Sequence, residues 1–176
     1  MTSPTRILAG FLKDVLWLRI EGKGSHEVSH ALDCFVTRRM AEGTHHLVVD
    51  LEDCPGMDST FIGTLTGIAV RLMESPTGRL QVVNLNQRNS QVLENLGVDQ
   101  IFEVDHQGQA WRPERQAISQ AVHHNICQQM APLERDERCR MMLDAHENLS
   151  KIQEANVPVF KDVIECLRSQ LETVPA

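Results

Sequence analysis

Aromatic side chains make up only 4% of the 176 residues, and tyrosine is absent altogether. Stacking surfaces for bases or sugars are therefore scarce. Basic charge is not in excess either: 17 Lys and Arg stand against 24 Asp and Glu, a net charge of −7. A nucleic-acid binder usually shows a basic face, so that class is disfavoured. No apolar run approaches the roughly 18 residues of a membrane-spanning helix, and no basic-then-apolar leader opens the chain. The expectation is a cytoplasmic protein that engages neither nucleic acid nor membrane. Paired cysteines are also lacking, because Cys34, Cys54, Cys127, Cys139 and Cys166 are odd in number and contain no Cys-x-x-Cys spacing. Such a set indicates reduced, mostly buried thiols in place of a disulfide framework or zinc site. His26 and His30 are four apart, yet nothing nearby completes a ligand set. Neither a metal nor a cofactor is expected.

What the chain does have is 41% hydrophobic residues, enough for one compact domain with length left for a helical appendage. Ile7 to Leu12 and Val15 to Ile20 are apolar runs separated by Lys13-Asp14, which predicts a hairpin with the second strand near the centre of a sheet. Gly22 and Gly24 break that pattern. Ser25 or Ser29 is placed to cap a helix whose stripe is Val28, Ala31, Leu32, Phe35 and Val36, ended by Gly43. Leu47-Val48-Val49, closed by Asp50, suits a strand buried on both faces. Leu80 to Leu85 predicts another strand, Asn86 caps a helix that Gly97 stops, and Ile101 to Val104 is the last strand. Ala117 to Ile126 then predicts one more helix. The alternation predicts an α/β fold: a mixed sheet of four to five strands, parallel toward its end, with helices mainly on one side.

The informative stretch is Met57-Asp58-Ser59-Thr60-Phe61-Ile62-Gly63-Thr64. Upstream, Glu52-Asp53-Cys54-Pro55-Gly56 is a turn after the buried strand, and downstream Phe61, Ile62, Leu65, Ile68, Ala69 and Leu72 recur at helical spacing. Asp58, Ser59 and Thr60 therefore stand at the N-terminus of a helix leaving the carboxyl edge of a strand. Unpaired N–H groups and the helix dipole favour an anion there, and a phosphate on Ser59 or Thr60 would be one. Asp-Ser-Thr is equally what an ordinary N-cap looks like.

An Asp-Ser-Thr on such a junction resembles the phosphorylation-site region of STAS domains, the fold of anti-sigma factor antagonists. The resemblance covers roughly residues 6 to 125. It implies that Ser59 is the residue a partner kinase phosphorylates, with Thr60 as the alternative acceptor, and that Asp58, Ser59, Thr60, Phe61 and Ser25 face the partner. Two departures stand out. The family often continues Gly-Leu-Gly where this chain has Phe61-Ile62-Gly63, and it carries an acid where Gly22-Lys23-Gly24-Ser25 has none. What the resemblance implies is a bacterial signalling protein that binds an anti-sigma factor of the serine kinase type. Phosphorylation would switch it off and a cognate serine phosphatase would restore it. The alternative is a STAS interaction module, never phosphorylated, within another signalling or transport assembly.

Enzymatic activity is not expected, because Ser59 lacks a Gly-x-Ser-x-Gly elbow and no companion His is evident. Gly22-x-Gly24 is too little for a phosphate loop. The division expected is a STAS-like domain over 1–127 and a helical extension over 128–176. Leu133, Met141, Met142, Ala145, Leu149 and Ile152 mark one apolar side of the extension. Phe160, Val163, Ile164, Leu167 and Leu171 mark another after a break at Asn156-Val157-Pro158. Such stripes fold back on the domain, pair as a hairpin, or bury each other across a homodimer.

Overall fold

A computed structural model describes residues 4–172. Strands β1 (Arg6–Leu12) and β2 (Val15–Glu21) form the hairpin, with Leu12 opposite Val15. Lys13 takes the left-handed conformation, φ 57°, that a two-residue turn demands. Helix α1 (His26–Ala41) leads to β3 (His46–Asp50), and α2 (Ser59–Leu72) to β4 (Arg79–Val83). These are followed by α3 (Gln87–Asn95) and a short β5 (Glu103–Val104). Strands β2, β3, β4 and β5 run parallel to one another, which requires the intervening helical crossovers.

Beyond β5 come α4 (Arg115–Ala121), the two-residue β6 (His124–Asn125), and a helical pair, α5 (Arg135–Ser150) and α6 (Asn156–Glu172). The sheet order is β5-β4-β3-β2-β1-β6. Its six strands exceed the four to five expected. The additional strand comes from the segment predicted as a single helix over Ala117 to Ile126. The helix stops at Ala121, and His124-Asn125 pairs with Leu8 and Ala9 to cover the open edge of β1. Gly10 permits this, because a Cβ there would lie 2.2 Å from the Ala121 carbonyl oxygen. Ile126 consequently turns into the main core and leaves the α4 stripe.

The period of two along each strand sorts the core into two clusters. Leu16, Leu18, Leu47, Val49, Leu80 and Val82 face the cluster that holds residues of α1, α2, α3, α5 and α6. Val15, Trp17, Val48 and Val83 face α4, whose Ile118 and the following Val122 cover them. Helices thus lie mainly on one side, with α4 alone on the other. The Trp17 and Trp111 rings meet edge to face at 5.8 Å on the α4 side.

The two C-terminal helices pair with each other and fold back against α2. Their apolar stripes find partners within the chain: Leu149 and Phe160 join the main core, and Leu167 is buried. The break between them falls at 151–155, earlier than predicted, because Asn156 already starts α6. Pro158 then sits in the first turn, where a missing N–H costs little. The Asn156 amide donates to the carbonyls of Leu96 and Leu149, and Gln153 donates to the carbonyl of Asn95. The bonds to Asn95 and Leu96 occupy carbonyls that the end of α3 leaves free and pin the hairpin turn to the domain, while the bond to Leu149 closes the turn onto the end of α5.

The five cysteines are free; Cys54 and Cys139 are buried, Cys34 and Cys127 half-buried, and Cys166 exposed. Burial pushes the Cys34, Cys54 and Cys127 thiols up, with Asp33 adding to the effect at Cys34. These three are therefore weak nucleophiles at neutral pH. Among the described residues no helix is long and apolar enough to cross a membrane.

Candidate functional site

Three connections converge at the carboxyl edge of the parallel strands. The Gly22 N–H donates to the Asp53 carbonyl, Gly24 to Gly56, and Asp58 back to Gly24, so the loop after β2 is laced to the loop after β3. The Asn86 and Asn89 side-chain amides both donate to the Cys54 carbonyl and bind the loop after β4 to the same turn. This lacing fixes where α2 begins.

Asp58 is the N-cap of α2, and each of its oxygens has a task. Oδ1 accepts the Phe61 N–H at 2.9 Å, within its own helix, and Oδ2 accepts the His26 N–H at 3.0 Å, in the first turn of α1. One carboxylate therefore caps two helices and sits at the positive ends of both. Asp58→Ala is expected to lower the free energy of unfolding by about 2–3 kcal/mol, since both caps go together. Asp58→Asn should cost about half of that, because an amide oxygen still accepts from Phe61 while its NH2 cannot accept from His26. Denaturant midpoints at unchanged slope test this. Equal midpoints for all three proteins would show that the caps carry no weight.

Ser59, Thr60 and Phe61 follow as the first three residues of α2, and their surroundings differ. Thr60 is 3% exposed and Phe61 fully buried. Phe61 lies under the loop after β2, where a Cβ on Gly24 would come within 2.7 Å of its ring. In this arrangement its side chain supports the loop from below and presents nothing to a partner. Ser25 is likewise buried at the start of α1, its carbonyl accepting the Ser29 hydroxyl. Of the residues that the resemblance directed toward a partner, Asp58 and Ser59 are the two that keep half-exposed side chains.

The Ser59 hydroxyl is itself engaged. Its Oγ lies 2.9 Å from Nε2 of His146, a residue 87 positions away on α5. Nδ1 of His146 lies 2.6 Å from the Met142 carbonyl oxygen. A carbonyl only accepts, so Nδ1 carries a proton and donates, and in the tautomer protonated there Nε2 is the acceptor for the Ser59 hydroxyl. His146 is 4% exposed and packs against the Phe160 ring at 5.5 Å. The distance suits a nucleophile and its base, but the ring is covered by α6 and its other nitrogen meets a main-chain carbonyl.

Sequence reasoning had not found His146. The signal that could have led there is the spacing of Ser59, Gly63 and Gly67, four apart along one side of α2. Glycine inside a helix costs about 1 kcal/mol against alanine, and a repeated one points to a close neighbour. That neighbour is α5. A Cβ at Gly63 would stand 2.1 Å from the Ala145 carbonyl oxygen, and one at Gly67 would stand 2.5 Å from the Asn148 amide. Asn148 also donates to the Gly63 carbonyl at 3.4 Å.

Comparison with known proteins adds three findings. The family model of the STAS domain matches residues 6–110. The crystal structure of a candidate anti-sigma factor antagonist from Thermotoga maritima superposes with a TM-score of 0.53 at 22% identity, covering 61% of this chain and 92% of its own. The solution structure of that protein gives 0.51 at 22% identity, over 55% and 77%. At these identities the likeness concerns the fold. The family match ends before α4, so neither α5 nor His146 belongs to the shared part.

Proposed function

This chain belongs to the STAS domain family, and from that premise we propose that it is an anti-sigma factor antagonist-like signalling protein, switched by phosphorylation of Ser59. The observation that carries this reading is the position of one hydroxyl. Ser59 opens α2 at the carboxyl edge of the parallel strands, beside a capping aspartate, and it is half-buried while Thr60 is buried. A helix N-terminus accommodates a phosphate through free N–H groups and dipole. The proposed partner is an anti-sigma factor of the serine kinase type, which supplies ATP as phosphoryl donor. The Ser59 Oγ–P bond forms, the bond from the γ-phosphorus to the bridging oxygen of ADP breaks, and the hydroxyl proton leaves to a base of the kinase. A cognate serine phosphatase reverses the modification by hydrolysis.

The added group brings about −1.5 to −2 of charge. Glu52, Asp53 and Asp58 lie on the same edge, the first two exposed. The modified edge therefore repels an acidic contact that the free form tolerates. The protein acts by binding in the cytoplasm, without turnover of its own.

The test is affinity capture from the native cell extract with wild type and Ser59→Asp side by side, reading bound proteins and the Ser59 modification by mass spectrometry. Wild type is expected to retain an ATP-dependent serine kinase, and Ser59→Asp at least tenfold less of it. Equal capture by both, with no phosphate on Ser59, would instead make the chain a constant STAS interaction module. Phosphate found on Thr60 alone would move the acceptor by one residue.

A further inference from the structure

The family reading concerns the helix end and leaves α5 and α6 without a task. Those helices are not an independent appendage, because α5 lies across the very residue on which the reading depends. Three contacts define the crossing: the Ser59 hydroxyl on His146 Nε2, the Ala145 carbonyl against Gly63, and Asn148 against Gly67. The Ser59 hydroxyl is held by His146 at 2.9 Å, and a phosphate there, larger by a phosphorus and three oxygens, has to be accommodated against α5.

From this we infer that the α5–α6 hairpin is an internal cap over Ser59. The hydroxyl is reached by a kinase or a partner only when α5 lifts, and a phosphate on Ser59 holds it lifted. The inference rests on the proposed function only for the identity of the modification; the cap itself rests on the contacts.

The hold of the cap suits a reversible element. Along α2 it consists of two side-chain hydrogen bonds, Ser59 with His146 and Asn148 to the Gly63 carbonyl, and of backbone-close packing on glycines. Leu149 and Phe160 supply the apolar grip in the main core, and Gln153 and Asn156 supply the polar grip at α3. At its other end α5 is reached through residues 130–134, which have no regular structure and contain Pro132. That linker stands over a cleft of about 410 Å³ lined in part by His26, His30, Met130 and Leu133. The linker has this open space on one side, with Ala131 and Pro132 exposed, and it can follow α5 as a hinge.

Coupling runs both ways by thermodynamic necessity. Whatever factor by which closure disfavours phosphorylation, phosphorylation disfavours closure by the same factor. A phosphate that needs the open form consequently exposes the face of α2 that α5 covers.

The cap is tested without any partner by chemical labelling. In the full chain, Ser59→Cys places a thiol beneath α5, and exposed Cys166 serves as an internal reference. Iodoacetamide labelling, read peptide by peptide, is expected to be at least tenfold slower at position 59 than at Cys166. Adding Gly63→Ala, whose methyl meets the Ala145 carbonyl, should raise the rate at position 59 at least tenfold. Equal labelling at position 59 and Cys166 in the single variant overturns the cap, and this comparison stands even if the glycine variant does not fold. The reciprocal half is tested by hydrogen exchange. Amides of α5 should exchange at least tenfold faster in Ser59→Asp than in wild type while those of β2 and β3 are unchanged. Unaltered α5 exchange overturns the coupling. A kinase that modifies Ser59 should act at least tenfold faster on Gly63→Ala. If Ser59 is modified in neither chain, the phosphorylation reading fails while the labelling still decides the cap.

Discussion

Phe61→Ala is expected to lower the free energy of unfolding by about 3–5 kcal/mol, the range for emptying a well-packed aromatic site. At 176 residues this corresponds to a fall in Tm of roughly 10 °C. The ring is fully buried in the main core, and the backbone of the loop after β2 rests on it at Gly24. That loop bonds to Gly56 and accepts from Asp58, and it delivers His26 to the Asp58 carboxylate. Loss of the ring therefore loosens the lacing around Ser59 as well as the core. Guanidinium unfolding measures the effect. A change below about 0.5 kcal/mol, within the range of an ordinary surface substitution, would place the side chain outside the core and return it to the partner face.

An equally large loss, about 3–5 kcal/mol, is expected for Asp50→Ala. Asp50 ends β3 fully buried, and its carboxylate accepts four hydrogen bonds. Oδ2 takes Trp17 Nε1 at 3.3 Å and Arg19 Nε at 3.0 Å, while Oδ1 takes Asn84 Nδ2 at 2.8 Å and the Glu52 N–H at 3.1 Å. The carboxylate ties β2 to β3 and β3 to the turn after β4. Alanine leaves the Arg19 charge and the Trp17 and Asn84 donors without their acceptor, in a place water reaches poorly. Asp50→Asn should recover little, because one oxygen becomes an NH2 that confronts two of the existing donors. Thermal unfolding of the pair decides it: an asparagine variant as stable as wild type would show that shape, and not charge, holds this junction.

These two residues also show how far a single sequence reaches. Asp50 was legible as the end of a buried strand, because three apolar residues precede it. Its four donors were not, since Trp17, Arg19 and Asn84 come from other strands and turns. Phe61 was legible as part of an apolar helical stripe, yet the match to a motif drew it toward the partner surface. The stripe was the better guide, because burial follows from the side of the helix a residue occupies and not from its distance along the chain to a functional hydroxyl.

The sequence by itself determined the alternation of strands and helices, the hairpin around Lys13-Asp14, and a helix start within Asp58-Ser59-Thr60. Each of these is written in neighbouring residues, through period, turn chemistry and capping. Only the tertiary structure decided that His124-Asn125 closes the edge of β1, that one aspartate caps two helices, and that α5 lies over Ser59. Those outcomes join residues far apart in the chain, Ser59 and His146 by 87 positions. What brings them together is close approach at glycines and a shared core, which local pattern does not encode.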